Sequence, residues 1–183
     1  MPRLPYLDWS DLKPEDQELL KRNINLYRVL VHSPNALRAF GTLGSFIRHK
    51  SRLDPRLREM AILQVGYLER SPYEYSHHVE IGRHFGVSND DIRAITDETK
   101  GRPTRLDPLT KAVLRAAREM TIGLAISERT FAELRAGLDN ECLTDLVLTI
   151  AFYNAVVRIL ATMQIDVEDD YLRYLDEFPL PRD

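Results

Sequence analysis

Residues 58–86 read REMAILQVGYLERSPYEYSHHVEIGRHFG, and the fold is decided in this stretch. Leu57, Met60, Ala61, Leu63, Val65 and Leu68 recur at helical spacing behind Asp54-Pro55, a strong helix start, so a helix is predicted to about Arg70. Ser71-Pro72 breaks the pattern and opens a second, shorter helix that ends near Phe85-Gly86. The first helix must turn back at that break if the two pack as a hairpin. Glu59, flanked by Met60, Ala61 and Ile62, puts a carboxylate on a largely buried helix, where it needs a partner. Glu74, His77 and His78 stand at i, i+3 and i+4, so one helical face can present a carboxylate beside an imidazole. His78 is a candidate partner for Glu59. Glu59, however, lies further from the turn than His78, and spacing alone does not bring them together.

On both sides of this stretch the same helical period continues. Pro14 is predicted to open a helix carrying Leu19, Leu20, Ile24, Tyr27, Leu30 and Val31, with Glu15, Asp16 and Glu18 near its positive end. His32-Ser33-Pro34-Asn35 reads as a stop and a restart. The next helix contains Gly41 and Gly44, each costing about 1 kcal/mol relative to alanine, which points to close packing against another helix. Ser88 is an expected N-cap for a helix from Asn89 to about Glu98, and Lys100-Gly101-Arg102-Pro103 is the clearest loop. Asp107-Pro108 and Ser127 start two more helices. The last large helix, about Asn140 to Ile165, is apolar nearly all round and is expected to be buried. No sustained alternation occurs, so the expected fold is all-α, a single-domain bundle of about eight or nine helices.

The bulk properties set limits. The 183 residues suit one domain, and 25 basic against 28 acidic side chains give a net charge of −3 without a basic patch, so no nucleic-acid partner is expected. Pro2, Pro5, Asp8 and Asp11 interrupt any signal-peptide core, and no apolar run approaches the roughly 20 residues of a membrane span. Cys142 is the only cysteine, which rules out an internal disulfide and suits the cytoplasm, the expected location.

The central stretch resembles the carboxymuconolactone decarboxylase and alkylhydroperoxidase D superfamily, whose pattern is a Glu followed about a helix later by Cys-x-x-Cys-x-x-x-His. Setting His78 on the family histidine puts Glu59 on the upstream glutamate, and Ser71 and Glu74 on the two cysteines. Tyr73-Glu74-Tyr75 before His77-His78 is similar to the cysteine-poor decarboxylase branch. Gly86-Val87-Ser88 with Asp91-Ile92, and Phe152-Tyr153-Asn154 with Arg158, resemble later family segments. The resemblance implies an oligomeric bundle of the alkylhydroperoxidase D type. It also implies three parts: a helical extension over 1–35 packed on the core, the family domain over 36–166, and a C-terminal tail over 167–183.

Thiol peroxidase chemistry needs a thiolate, and Ser71 and Glu74 supply none, so that activity of the relatives does not carry over. What remains is acid-base chemistry. The resemblance implies Glu59, Glu74 and His78 as catalytic residues, with His78 the acid/base, Glu59 orienting it, and Glu74 relaying a proton or repelling a leaving carboxylate. Tyr75, His77 and Arg158 are candidates for contacting the substrate; packing for Tyr75 and a salt bridge for Arg158 are the alternatives. The expected activity is cofactor-free decarboxylation, or a related lyase or isomerase reaction, on a small carboxylated lactone or oxo acid. No cofactor, metal, nucleic-acid or membrane partner is expected; a homo-oligomer (dimer, trimer or hexamer) is. The competing expectation is a non-catalytic, ligand-binding or stress-related oligomer of the same fold. His78→Gln is expected to remove activity with little change in melting temperature, and His77→Gln to cost much less.

Overall fold

Proline and short polar caps set most of the helix starts. Pro34, Pro55, Pro72 and Pro108 each occupy a first helical position, where the missing N–H has no intrahelical partner to lose. Asp54, Ser88, Asp107, Ser127 and Asp139 accept first-turn amides through their side chains. In the computed structural model, which describes residues 1–181, these starts give nine α-helices and no strand among the described residues. They are α1 (Asn25–Leu30), α2 (Pro34–His49), α3 (Pro55–Leu68), α4 (Pro72–His84), α5 (Asn89–Thr99), α6 (Pro108–Gly123), α7 (Glu128–Gly137), α8 (Asn140–Met163) and α9 (Asp169–Glu177).

α3 is the axis of the bundle. It packs against α4, α5, α6 and α8, and every residue from Leu57 to Tyr67 is buried. The sequence points to α8 for that role. In the single chain α8 buries only one face, through Leu143, Leu146, Ile150, Tyr153, Val156, Val157 and Leu160. Val147, Leu148, Ala151, Phe152, Ala155 and Ile159 stay half-buried or exposed. α8 is also long and apolar enough, by length and composition, to cross a membrane, a property that core helices share. α3 can be enclosed despite its polar residues because they are paired: Gln64 with Thr99 and Arg118, and Glu59 as described below.

Close approach of α3 and α4 depends on Gly66. A β-carbon there would lie 3.2 Å from the Tyr75 amide nitrogen and 3.3 Å from its Cα, both backbone atoms that cannot swing away. Gly41 and Gly44 are less constrained than expected: at either, a β-carbon would meet only ordinary contacts, 3.9 Å to the Tyr27 hydroxyl and 3.8 Å to the Phe152 ring.

The ends of the chain depart most from the sequence reading. The helix expected from Pro14 to Val31 is two pieces, a 3-10 segment over Pro14–Leu20 and α1. α1 restarts at Asn25 because its first amides are taken by remote groups: Asn25 N donates to Glu168 Oε1 at 2.7 Å and Leu26 N to the Tyr73 hydroxyl at 3.2 Å. The segment expected as a tail carries α9, whose Tyr171, Tyr174 and Leu175 face α4 and the cluster around it. The last two residues of that expected tail lie outside the described residues.

Candidate active site

The hairpin of α3 and α4 brings Glu59 and His78 into contact across 19 residues. His78 Nδ1 lies 2.6 Å from Glu59 Oε2, and His78 Nε2 lies 2.9 Å from Glu74 Oε1, so the imidazole is held at both nitrogens. The other oxygen of Glu59 accepts from Arg58 Nε at 2.9 Å. Arg58 is itself buried, donates through Nη1 to the Arg48 carbonyl at 3.1 Å near the end of α2, and sits over the Phe85 ring at 4.6 Å. Two carboxylates and two cations thus alternate in one buried row, Arg58–Glu59–His78–Glu74. Each charge has an opposite neighbour, which is what permits the row to be buried.

Although burial opposes charging, Glu59 and Glu74 dominate and push the His78 pKa up to about 9. His78 is therefore an imidazolium at neutral pH. Glu59 is also penalised by burial, yet His78 and Arg58 hold its carboxyl below the usual range. These shifts give opposite pH dependences. The His78 contribution to stability is complete below its ordinary value of 6.5 and is lost as pH rises through about 9. The Glu59 contribution is complete above its ordinary value of 4.5 and is lost as pH falls through its lowered one. Denaturant midpoints are expected to be highest between these two ordinary values and to decline towards pH 9; a midpoint that rises steadily from pH 6 to pH 9 would contradict the doubly paired imidazolium.

Of the three residues, Glu74 and His78 line a pocket, and Glu59 stands behind them, fully enclosed. The pocket also takes Tyr73 and His77 from α4, Phe40, Gly44 and Arg48 from α2, Phe152, Tyr153 and Val156 from α8, and Arg22 and Tyr27 from the α1 region. Its cavity measures about 50 Å³, room for a few waters or the reacting end of a small molecule. Arg22, Tyr27 and Arg48 are half-buried and also line the open groove outside the pocket, which puts them on its solvent side. Glu74 uses Oε1 for His78, which leaves Oε2 for the pocket. Tyr153 packs edge-on to the His78 ring, centroids 5.0 Å apart; burial, with Glu74 and Glu59 close by, raises its phenol far above the ordinary value.

The residues expected to contact substrate separate. Tyr75 is turned away from the pocket: it follows Glu74 by about 100° around the helix and packs on Tyr67, with ring centroids 6.0 Å apart. Arg158 is exposed, bonds Asn154 within its own helix at 2.9 Å, and does not line the pocket. His77 does line it, but its ring is stacked between Tyr73 and Tyr171, at 4.3 and 3.6 Å, and Nε2 meets Glu168 at 2.7 Å. Glu168 also receives the Tyr73 hydroxyl at 3.0 Å, and its bonds to His77 and the Asn25 amide outweigh burial, lowering its carboxyl to about 2. This second cluster clamps α1, α4 and α9 together. His77, a candidate substrate contact in the sequence, thus lines the pocket while its ring and Nε2 are engaged in this clamp.

The structure adds Tyr153, Arg48, Arg22 and Glu168 to the residues that sequence reasoning assigns to the site. Tyr153 has a signal in the Phe152-Tyr153-Asn154 segment. α9 has one in the spacing of Tyr171, Tyr174, Leu175 and Phe178 behind Asp169 and Asp170. Nothing in the sequence sets Arg22 or Arg48 apart from other arginines. Cys142, near the start of α8, donates its amide to Asp139 at 2.8 Å, and burial raises its thiol pKa. It stands eleven residues, about 16 Å of helix, from Tyr153.

Residues 34–119 match the model of the Carboxymuconolactone decarboxylase family. No curated protein matches in sequence. In fold, the chain is similar to a peroxidase-related protein with the alkylhydroperoxidase AhpD core from Ralstonia eutropha JMP134, at 19% identity and a TM-score of 0.81 over 98% of each chain. It is similar to the debrominase Bmp8, solved in complex with 2,3,4-tribromopyrrole, at 18% identity and a TM-score of 0.81 over 97% of this chain and 100% of that one. A protein of unknown function from Agrobacterium tumefaciens aligns over 75% of this chain and 93% of its own, at 20% identity and a TM-score of 0.66.

Proposed function

We propose that this chain, whose residues 34–119 match the Carboxymuconolactone decarboxylase family model and whose fold is similar to that of alkylhydroperoxidase D-like proteins, catalyses a cofactor-free proton transfer, decarboxylating or isomerising a small carboxylated lactone or oxo acid. One observation carries the reading: an imidazole held between an enclosed carboxylate and one that borders a pocket. Because both nitrogens of His78 are occupied, the group that meets the substrate is Glu74. His78 is the proton store behind it, and Glu59 fixes the ring. In a decarboxylation the bond from carbon to carboxylate breaks and its electron pair moves into a conjugated carbonyl. Carbon dioxide leaves, the carbon takes a proton by way of Glu74, His78 Nε2 resupplies it, and solvent restores the imidazolium. Tyr73, Tyr153, Phe152 and Phe40 give the pocket flat walls suited to an unsaturated body.

The test is carbon dioxide release and solvent-deuterium incorporation over a panel of carboxylated lactones and oxo acids, with a chelator present. Turnover is expected for at least one compound, insensitive to the chelator and retained within a few-fold in Cys142→Ser. Peroxide reduction that disappears in Cys142→Ser would overturn the reading. The small cavity and the saturated imidazole favour a second reading, a non-catalytic ligand-binding protein. Saturable binding with neither carbon dioxide release nor deuterium incorporation across the panel would select it. The uncovered apolar face of α8 is assigned to contact between copies of the chain, and sedimentation as a monomer at micromolar concentration would remove that assignment.

A further inference from the structure

Of the eight half-buried arginines among the described residues, five pair with a carboxylate, and Arg118 donates instead to Gln64 Oε1 at 3.1 Å. Arg28 pairs with Asp8, Arg38 with Asp16 and Arg56 with Asp91, each at 2.7 Å, and Arg83 and Arg115 pair with Glu177 and Glu133. Arg22 and Arg48, both on the solvent side of the pocket, form no ion pair among the described residues. Arg48 donates through Nε to the Gly44 carbonyl at 3.3 Å, and Arg22 sits 5.9 Å from the Tyr27 ring centroid. A partly desolvated guanidinium without an acid is costly to keep and is suited to an incoming anion.

We infer that Arg48 and Arg22 form an anion subsite that binds a carboxylate of a small planar ligand, at the end remote from Glu74. The position of Arg48 is set from within the acid-base row, because Arg58 bonds both Glu59 and the Arg48 carbonyl. Tyr27, Phe40, Phe152 and Tyr153 line the same pocket and offer it aromatic walls. Glu74 fixes the orientation, since a carboxylate that the ligand retains is drawn to the arginines at the outer end and the reacting carbon is left facing Glu74 at the inner one. Outside the pocket, Lys21 and Lys50 join the same two arginines along a groove that also holds Glu18 and in which Arg38 is neutralised by Asp16, so the approach to the subsite keeps a net positive charge.

This inference rests on the proton-transfer reading only for the role of Glu74, and its test needs no turnover. Isothermal titration would compare 2-furoate with its neutral amide, 2-furamide, on the full chain. Wild type is expected to bind 2-furoate at least about tenfold more tightly than the amide, with affinity falling as salt is raised. Arg48→Met is expected to remove about tenfold or more of the 2-furoate affinity and none for the amide, and Arg22→Met several-fold. Arg48→Lys, which keeps the charge, should restore part of the loss, a pattern that misfolding cannot produce. Arg129→Met, on the exposed face of α7, should change nothing. Equal affinity for acid and amide, unchanged binding in Arg48→Met, or no 2-furoate binding at millimolar concentration would overturn the subsite. Arg48-dependent binding in a protein that turns over no lactone would keep the subsite and discard the proton-transfer reading; turnover unaffected by Arg48→Met would do the reverse.

Discussion

Glu74→Gln is expected to lower turnover by about 10²–10⁴-fold while the protein still folds and binds ligand. The amide oxygen can still accept from His78 Nε2, so the local geometry is kept, but the group at the pocket can no longer carry a proton. Glu74 comes ahead of His78 in this test because it is the member of the row with an oxygen free for the pocket. Single-turnover rates and binding titrations of the variant separate the two effects. A variant that binds and turns over within threefold or so of wild type would remove Glu74 from the chemistry. Because Glu74 and His78 act as one unit, the double variant Glu74→Gln/His78→Gln should be little slower than Glu74→Gln alone.

Glu59→Ala is expected to have the largest effect on stability, a loss of about 3–5 kcal/mol, because it strands two buried cations, Arg58 and His78, without their shared carboxylate. Arg58 has little in reserve: Nη2 is already buried without a hydrogen-bond partner. His78→Gln works from the other side, leaving Glu59 and Glu74 as neighbouring like charges, one of them enclosed. It should lower the melting temperature as well as the rate, contrary to the nearly unchanged melting temperature expected from the sequence. His77→Gln should also destabilise, by undoing the Tyr73–His77–Tyr171 stack and the Glu168 bond. Equilibrium denaturation with urea measures all three. If Glu59→Ala unfolded within 1 kcal/mol or so of wild type, water would have to be reaching and solvating the row, and the account of it as buried and mutually compensated would be wrong.

The helical class, the starts of most helices, and the two successive helices that carry Glu59, Glu74 and His78 are legible in the chain before it folds. These are local matters: proline at first helical positions, side-chain caps, and an apolar period of 3.6 residues are all read within a few residues of where they act. The pairing of Glu74 with His78 is equally local, one turn of one helix. Everything else came from packing between distant segments. Glu59 lies about 18 Å of helix before Ser71 and His78 about 10 Å after it, so their contact depends on how α3 crosses α4, which Gly66 permits by letting the Tyr75 backbone come close. Composition favoured α8 as the enclosed helix, yet burial follows from the number of neighbours, and α3 has four helices around it because its polar residues find partners there. Arg48 and Arg22 look like any other arginines in the sequence. What distinguishes them is that neither forms an ion pair among the described residues, and the absence of such a pair is a property of the whole surrounding structure rather than of any stretch of chain.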